Sequence, residues 1–231
     1  MSTSPLSFQK FDDEEDVPDC HKALELSDVD IIADQTTLQV WRLITTRNFR
    51  PFLSISDFKD EWFVIFWSWF GPRARERGAA NVIPLLLHNA HGVCLDIGPG
   101  TGQWLSTFAK ATNPSITKIY GIEPNVGLHP ELRANAEKAG LGDIYEVVGC
   151  GAQELDTKGG MQKGSIDTII TVQCLCSIPT PEKIIKELYP YLKPGGTWLV
   201  YEHVRTKYQN DFVGGWQRKS WRCSHKLWRT S

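Results

Sequence analysis

Val93-Cys94-Leu95-Asp96-Ile97-Gly98-Pro99-Gly100-Thr101-Gly102-Gln103-Trp104 is an apolar run ending in an acid, followed by three glycines at alternate positions. The order predicts a short buried strand, a tight turn and then a helix. Glycine permits positive φ and leaves room where a Cβ would clash, so a ligand can lie against bare backbone. A following helix would turn its free N–H groups toward the same place. The stretch therefore predicts a site for a nucleotide-like ligand at the end of a strand in an α/β sheet.

The spacing narrows the ligand. A dinucleotide fingerprint reads G-x-G-x-x-G and grips a pyrophosphate. Here the glycines are 98, 100 and 102, and position 103 is Gln. Asp96 would repel a pyrophosphate but suits a cationic ligand that carries an amino acid. The pattern D-x-G-x-G-x-G resembles motif I of the class I S-adenosylmethionine (SAM) methyltransferases. Lys118-Ile119-Tyr120-Gly121-Ile122-Glu123-Pro124-Asn125 predicts a second strand ending in a carboxylate. In a doubly wound sheet that carboxylate lies beside the first strand's end, within reach of ribose hydroxyls.

Upstream and downstream, the pattern divides the chain into four parts. Residues 1–35 form an acidic mobile segment and residues 36–90 a helical cap region. Residues 91–204 form a Rossmann-like core, and residues 205–231 a basic Trp-rich tail. Within the cap, helices are predicted at about 38–47, from Ser56 or Asp57 to Phe70, and from Glu76 to Asn89. Gly71-Pro72 is the expected stop of the second. Within the core, strands are predicted at 93–97, 117–122, 144–148, 166–172 and 197–203. Helices are predicted at 103–112, 129–139 and 180–192. Pro130 suits a first helical turn, Gly140 a C-terminal stop, and Thr180-Pro181 a start. Strands alternating with helices imply an α/β, doubly wound, mostly parallel sheet. Asp96, Glu123 and Gln173 then sit at strand carboxyl ends, where such sheets bind ligands.

The 231 residues suffice for one domain with a sizeable core, and the formal net charge of −2 gives no reason to expect a nucleic-acid partner. Charge is uneven: residues 1–30 hold nine acids and two lysines, whereas the chain from Arg205 on holds seven Lys/Arg and one acid. Both ends read as solvated tails. The six cysteines (20, 94, 150, 174, 176 and 223) show neither a paired framework nor zinc spacing, so no metal is expected. With no secretory signal, a reducing cytoplasmic setting is expected. The run Trp62-Phe63-Val64-Ile65-Phe66-Trp67-Ser68-Trp69-Phe70 is too short to span a bilayer, which needs about 20 residues. It reads as a buried or pocket-lining helix, and the aromatic helix 58–70 is the one candidate for contact with a membrane surface.

Three further strings sharpen the resemblance. They are Cys174-Leu175-Cys176-Ser177-Ile178-Pro179, Leu192-Lys193-Pro194-Gly195-Gly196 and Tyr201-Glu202-His203-Val204. With the two acidic motifs they resemble the methyltransferase-like seven group of SAM-dependent enzymes, above all its filamentous-fungal, secondary-metabolite members. The resemblance covers about residues 50–204. It implies SAM as cofactor and a small-molecule acceptor at O, S or N, sulfur being a candidate because animal members methylate thiols. It places Asp96, Gly98, Pro99, Gly100, Thr101 and Gly102 around the methionine part and sulfonium. Glu123 would take the ribose, with Pro124 and Asn125 beside it. Ala152 and Gln153 fall at the adenine position, and Gln173 faces the methyl group. His203 is the candidate general base. Such folds close with an antiparallel hairpin after the fifth strand. The residues after His203 hold no strand–helix–strand pattern, so a truncated or internally spliced form lacking that hairpin is expected.

Three other readings compete. A SAM-binding but inactive regulatory chain would share the cofactor loop. A protein or nucleic-acid methyltransferase would want an N/D-P-P-Y-type motif where Gln173-Cys174-Leu175-Cys176 stands. A dehydrogenase would want glycine at 103. The oligomeric state is not legible in the sequence.

Overall fold

A computed structural model describes residues 80–178 and 180–202, together with 37, 41, 45, 54, 58, 60–64, 67, 68, 71 and 72. Five strands make one sheet: β1 (Gly92–Ile97), β2 (Ile116–Ile122), β3 (Tyr145–Val148), β4 (Ile166–Val172) and β5 (Leu192–Tyr201). Their order is β3-β2-β1-β4-β5 and every neighbouring pair is parallel. The chain builds outward from β1 to β3, then returns to lay β4 against the other side of β1. The reversal opens a crevice at the carboxyl ends of β1 and β4, the point where open α/β sheets bind ligands.

Side chains alternate across the sheet, as the two-residue strand period requires. Cys94, Ile119 and Ile170 join one buried cluster; Leu95, Ile97, Ile122 and Ile169 join the other. The first cluster is covered by α1 (Val82–Leu87), through Ile83 and Leu87, and by α2 (His129–Lys138), through Leu132 and Ala136. The second is covered by α3 (Pro181–Leu188), whose Ile184 and Leu188 stand one turn apart. With both faces covered, strands read as near-continuous apolar runs, which is why β1 and β4 were legible. Gly140, at φ +71, ends α2 as expected, and the Leu141 N–H reaches back to the Ala136 carbonyl at 2.9 Å.

Four expectations change. The helix expected over 103–112 is a single 3-10 turn, Leu105–Phe108. Its N–H groups bond three residues back, Leu105 to Gly102 and Thr107 to Trp104, and the Thr112 hydroxyl and N–H both bond the Ala109 carbonyl. Ser106, Thr107 and Thr112 are weak helix formers with such local alternatives. No α-helix N-terminus directly follows the glycine loop. Gly71 and Pro72, the expected stop of the aromatic helix, are themselves helical. The last core helix ends at Leu188 rather than 192, passing into a 3-10 turn at Tyr189–Tyr191. β5 starts at Leu192, and a register shift absorbs the Lys193–Gly196 stretch before Thr197 pairs with Thr168. Thr180 precedes α3 as expected but at φ +51 and without a side-chain cap. Residues 1–35, the tail 205–231, His203 and the expectation about the closing hairpin all lie outside the described residues. Among the described residues no helix is long and apolar enough to cross a membrane.

Candidate functional site

β1 delivers Asp96 and the glycine loop to the crevice. Gly98, Gly100 and Gly102 take φ of +64, +60 and +81. Their neighbours sit close. A Cβ on Gly98 would lie 2.8 Å from Cys174 Cβ, and one on Gly102 would lie 2.6 Å from Leu105 Cδ1. The loop is tied on three sides. Gly98 N–H donates to the Ile122 carbonyl at 2.9 Å. Gly100 N–H donates to Glu123 Oε2 at 3.0 Å. From α2, Asn135 Nδ2 donates to the Thr101 carbonyl at 2.7 Å.

Glu123, at the end of β2, is buried. Its other oxygen, Oε1, accepts from Asn125 N–H at 2.9 Å, and its carbonyl lies 2.8 Å from His129 Nε2. Burial pushes its carboxyl above the ordinary range, against these backbone bonds, which pull it down. Each oxygen keeps a lone pair for a further donor. Pro124 is exposed and Asn125 half-buried beside it.

Asp96 holds a partner that the sequence did not reveal. Tyr145 Oη donates to Asp96 Oδ2 at 3.1 Å, reaching from β3 across β2 to β1. Gly121 makes this possible, because a Cβ there would collide with the Tyr145 hydroxyl. Replacing Gly121 by Ala should break the Tyr145–Asp96 bond and destabilise the fold by about 1–3 kcal/mol. Denaturant unfolding measures it; an unchanged midpoint would show that the ring shifts freely.

Burial moves the Asp96 carboxyl from 3.8 up to about 7; the Tyr145 bond opposes this and the Glu123 charge adds to it. The folded chain thus holds a proton at Asp96 between about pH 4 and about pH 7 that the unfolded chain has lost. Stability should therefore fall as pH rises through that window, by roughly 4 kcal/mol in total, and Asp96→Asn should flatten the decline. Unfolding at pH 5 and pH 8 tests both statements. A bound cation beside Asp96 would offset the loss.

Gln173 ends β4 at φ +53, a left-handed conformation that non-glycine residues seldom adopt. It lines one cavity with Trp67, Asp96, Gly98, Pro99 and Gly102, of about 40 Å³, backed by Leu87, Trp104, Phe108, Ile170 and Val172. Drug-sized ligand pockets run to roughly 300–1,000 Å³. The space above the loop is taken by the aromatic helix. The Trp67 indole stands over Gly100, where a Cβ would meet its Nε1 and come within 3.0 Å of Cδ1. Phe63 stacks on Trp67 with ring centroids 5.8 Å apart. Ser68 Oγ donates to Glu131 Oε2 at 2.8 Å, and Asn125 Nδ2 donates to the Asp60 carbonyl at 3.1 Å. The expected pocket-lining helix is thus seated on the loops after β1 and β2.

Ala152 and Gln153 lie apart from this cavity, in the 3-10 turn after β3. Ala152 is buried and Gln153 exposed, folded over Gly151. The acid in this segment is Glu154, whose carboxylate accepts from Gly151 N–H at 3.2 Å and pairs with Lys158 at 2.6 Å. Cys94, Cys150 and Cys174 are buried free thiols, and burial holds the Cys174 thiol far above the ordinary range. Among the described residues no group of His, Cys, Asp or Glu could hold a metal ion.

Residues 72–226 match the family described as "Methyltransferase domain". The chain belongs to the methyltransferase domain family. Sterol 24-C-methyltransferase ERG6 of Saccharomyces cerevisiae is 29% identical over 112 residues, 48% of this chain and 27% of that protein. Thiol S-methyltransferase TMT1B of Homo sapiens is 36% identical over 115 residues, 49% of this chain and 43% of that protein. The chain thus spans less than half the length of these two relatives. A crystal structure of a provisionally assigned methyltransferase from Bacillus halodurans shares the fold. Its TM-score is 0.50 at 19% identity, over 63% of this chain and 60% of that one.

SAM is the cofactor of this methyltransferase domain family. The residues present fit it on two counts. Asp96 is a buried carboxyl whose ionised form lacks a compensating charge among its neighbours Tyr145 and Glu123. Glu123 holds an acceptor pair at the neighbouring strand end.

Proposed function

We propose that this chain is a SAM-dependent methyltransferase that transfers a methyl group to O, S or N of a small molecule, in secondary-metabolite biosynthesis. One observation carries the reading: a buried acid and a left-handed glycine loop meet at the switch point of a parallel sheet. When bound, SAM supplies a methyl group already activated by its sulfonium. The chain's own residues bind and orient. Asp96 places negative charge beside the cationic part, and the loop from Gly98 to Gly102, with Pro99 and Thr101, offers bare backbone. Glu123 receives the ribose hydroxyls, flanked by Pro124 and Asn125. Ala152 and Gln153 border the adenine, and Gln173 faces the methyl group. Alignment of acceptor and methyl can contribute several kcal/mol, roughly 7–11 at most, so a strong base is dispensable. His203, next to Glu202, is the candidate base for an acceptor that must lose a proton.

The relatives are named for sterol and thiol acceptors. The apolar wall of Trp67, Trp104 and Phe108 suits a similarly apolar, uncharged acceptor. The deciding experiment is a calorimetric titration with S-adenosylhomocysteine, the product form of the cofactor. Micromolar binding at one site per chain is expected; absence of binding would overturn the proposal.

A further inference from the structure

Gln173 is left-handed at a place where nothing in a plain strand end demands it, and backbone held in a sparsely populated region points to an imposed geometry. The constraint comes from β5. The Gln173 N–H donates to the Tyr201 carbonyl at 2.8 Å. The next residue along β5's exit is Glu202, half-buried. Its Oε1 accepts from Cys174 N–H at 3.1 Å, from the Cys174 thiol at 3.3 Å and from Leu175 N–H at 3.1 Å. Its Oε2 accepts from Leu175 N–H at 3.2 Å. One carboxylate therefore gathers two consecutive backbone N–H groups and a thiol, and closes the turn that follows Gln173. Cys174, in turn, packs its Cβ against Gly98 of the glycine loop. Charge-assisted bonds of this kind are about twice as strong as neutral ones.

We infer that Glu202 is a positioning residue: by gripping the Cys174 and Leu175 N–H groups it aims Gln173 into the cavity, where it meets the transferred methyl group. The inference rests on the cofactor reading above. It assigns Glu202 no contact with cofactor or acceptor. Its effect on the methyl position travels through Gln173.

Sinefungin carries a protonated amine where SAM carries its methyl group, and S-adenosylhomocysteine carries nothing there. The ratio of the two affinities therefore reports on Gln173 without needing an acceptor. Both ligands are titrated into the wild-type chain, Gln173→Ala, Glu202→Ala and the double variant. A preference for sinefungin is expected to fall about tenfold in each single variant, with S-adenosylhomocysteine affinity held within about twofold in Glu202→Ala. The double variant is expected to lose no more than either single one, because residues acting as one unit are non-additive. Glu202→Gln keeps one acceptor oxygen and should restore most of the preference. Glu202→Met, which fills the volume without an acceptor, serves if Glu202→Ala does not fold. An unchanged ratio in the Glu202 variants, or losses that multiply in the double variant, would overturn the inference alone. A wild-type chain that binds neither ligand would overturn the cofactor reading and this inference with it.

Discussion

A chain carrying Gly100→Val should show no measurable binding of S-adenosylhomocysteine while keeping a native far-ultraviolet spectrum. Gly100 sits at φ +60, and its missing Cβ faces the Trp67 indole. A left-handed conformation costs an L-residue about 1–2 kcal/mol, more when it is β-branched. Forcing methyl groups against a packed ring adds about 1–3 kcal/mol. The loop's escape is to move, and moving it separates the Gly100 N–H from Glu123. The strands do not depend on this residue, so the sheet should persist. A loss of at least 100-fold in calorimetry is expected. Normal binding would show that the ligand lies elsewhere.

Glu123→Ala should weaken SAM binding by about 2 kcal/mol, roughly thirtyfold, through loss of two hydrogen bonds to a carboxylate. The same change strips acceptors from the Gly100 and Asn125 N–H groups. Each group left buried and unpaired costs about 1–3 kcal/mol, so the midpoint of unfolding should fall as well. Glu123→Gln separates the effects. It retains an acceptor for one N–H, and its stability should recover more than its affinity. Unchanged affinity in Glu123→Ala would remove the ribose assignment.

The strands and the two acidic strand ends were legible because buried parallel strands write themselves as apolar runs with a polar residue at the exit. Asp96, Glu123 and Gln173 could be ordered from that alone. The 103–112 stretch misled because its apolar spacing suits a helix, while Ser106, Thr107 and Thr112 offer the backbone other bonds. Tyr145 could not be found from sequence. Its partner is 49 residues away, and the only trace is a glycine in the strand between them. Glu202 had a visible neighbour in His203, but its task depends on the β4–β5 register. Trp67 belonged to a run recognised as pocket-lining, yet which ring covers the loop depends on how the helix is seated.

In the proposed cofactor site, the indole over Gly100 makes uptake a competition within the protein. A ligand that needs that space meets only the fraction of molecules in which the ring has withdrawn, so its apparent affinity is the intrinsic affinity scaled by that fraction. Each 1.4 kcal/mol that holds the ring in place weakens uptake about tenfold. Two anchors of the helix lie outside the glycine loop: Val64 rests on Gly127, and Ser68 bonds Glu131. Substitutions at those two anchors would retune how much cofactor the chain requires before it fills, leaving every residue proposed to touch the cofactor unchanged.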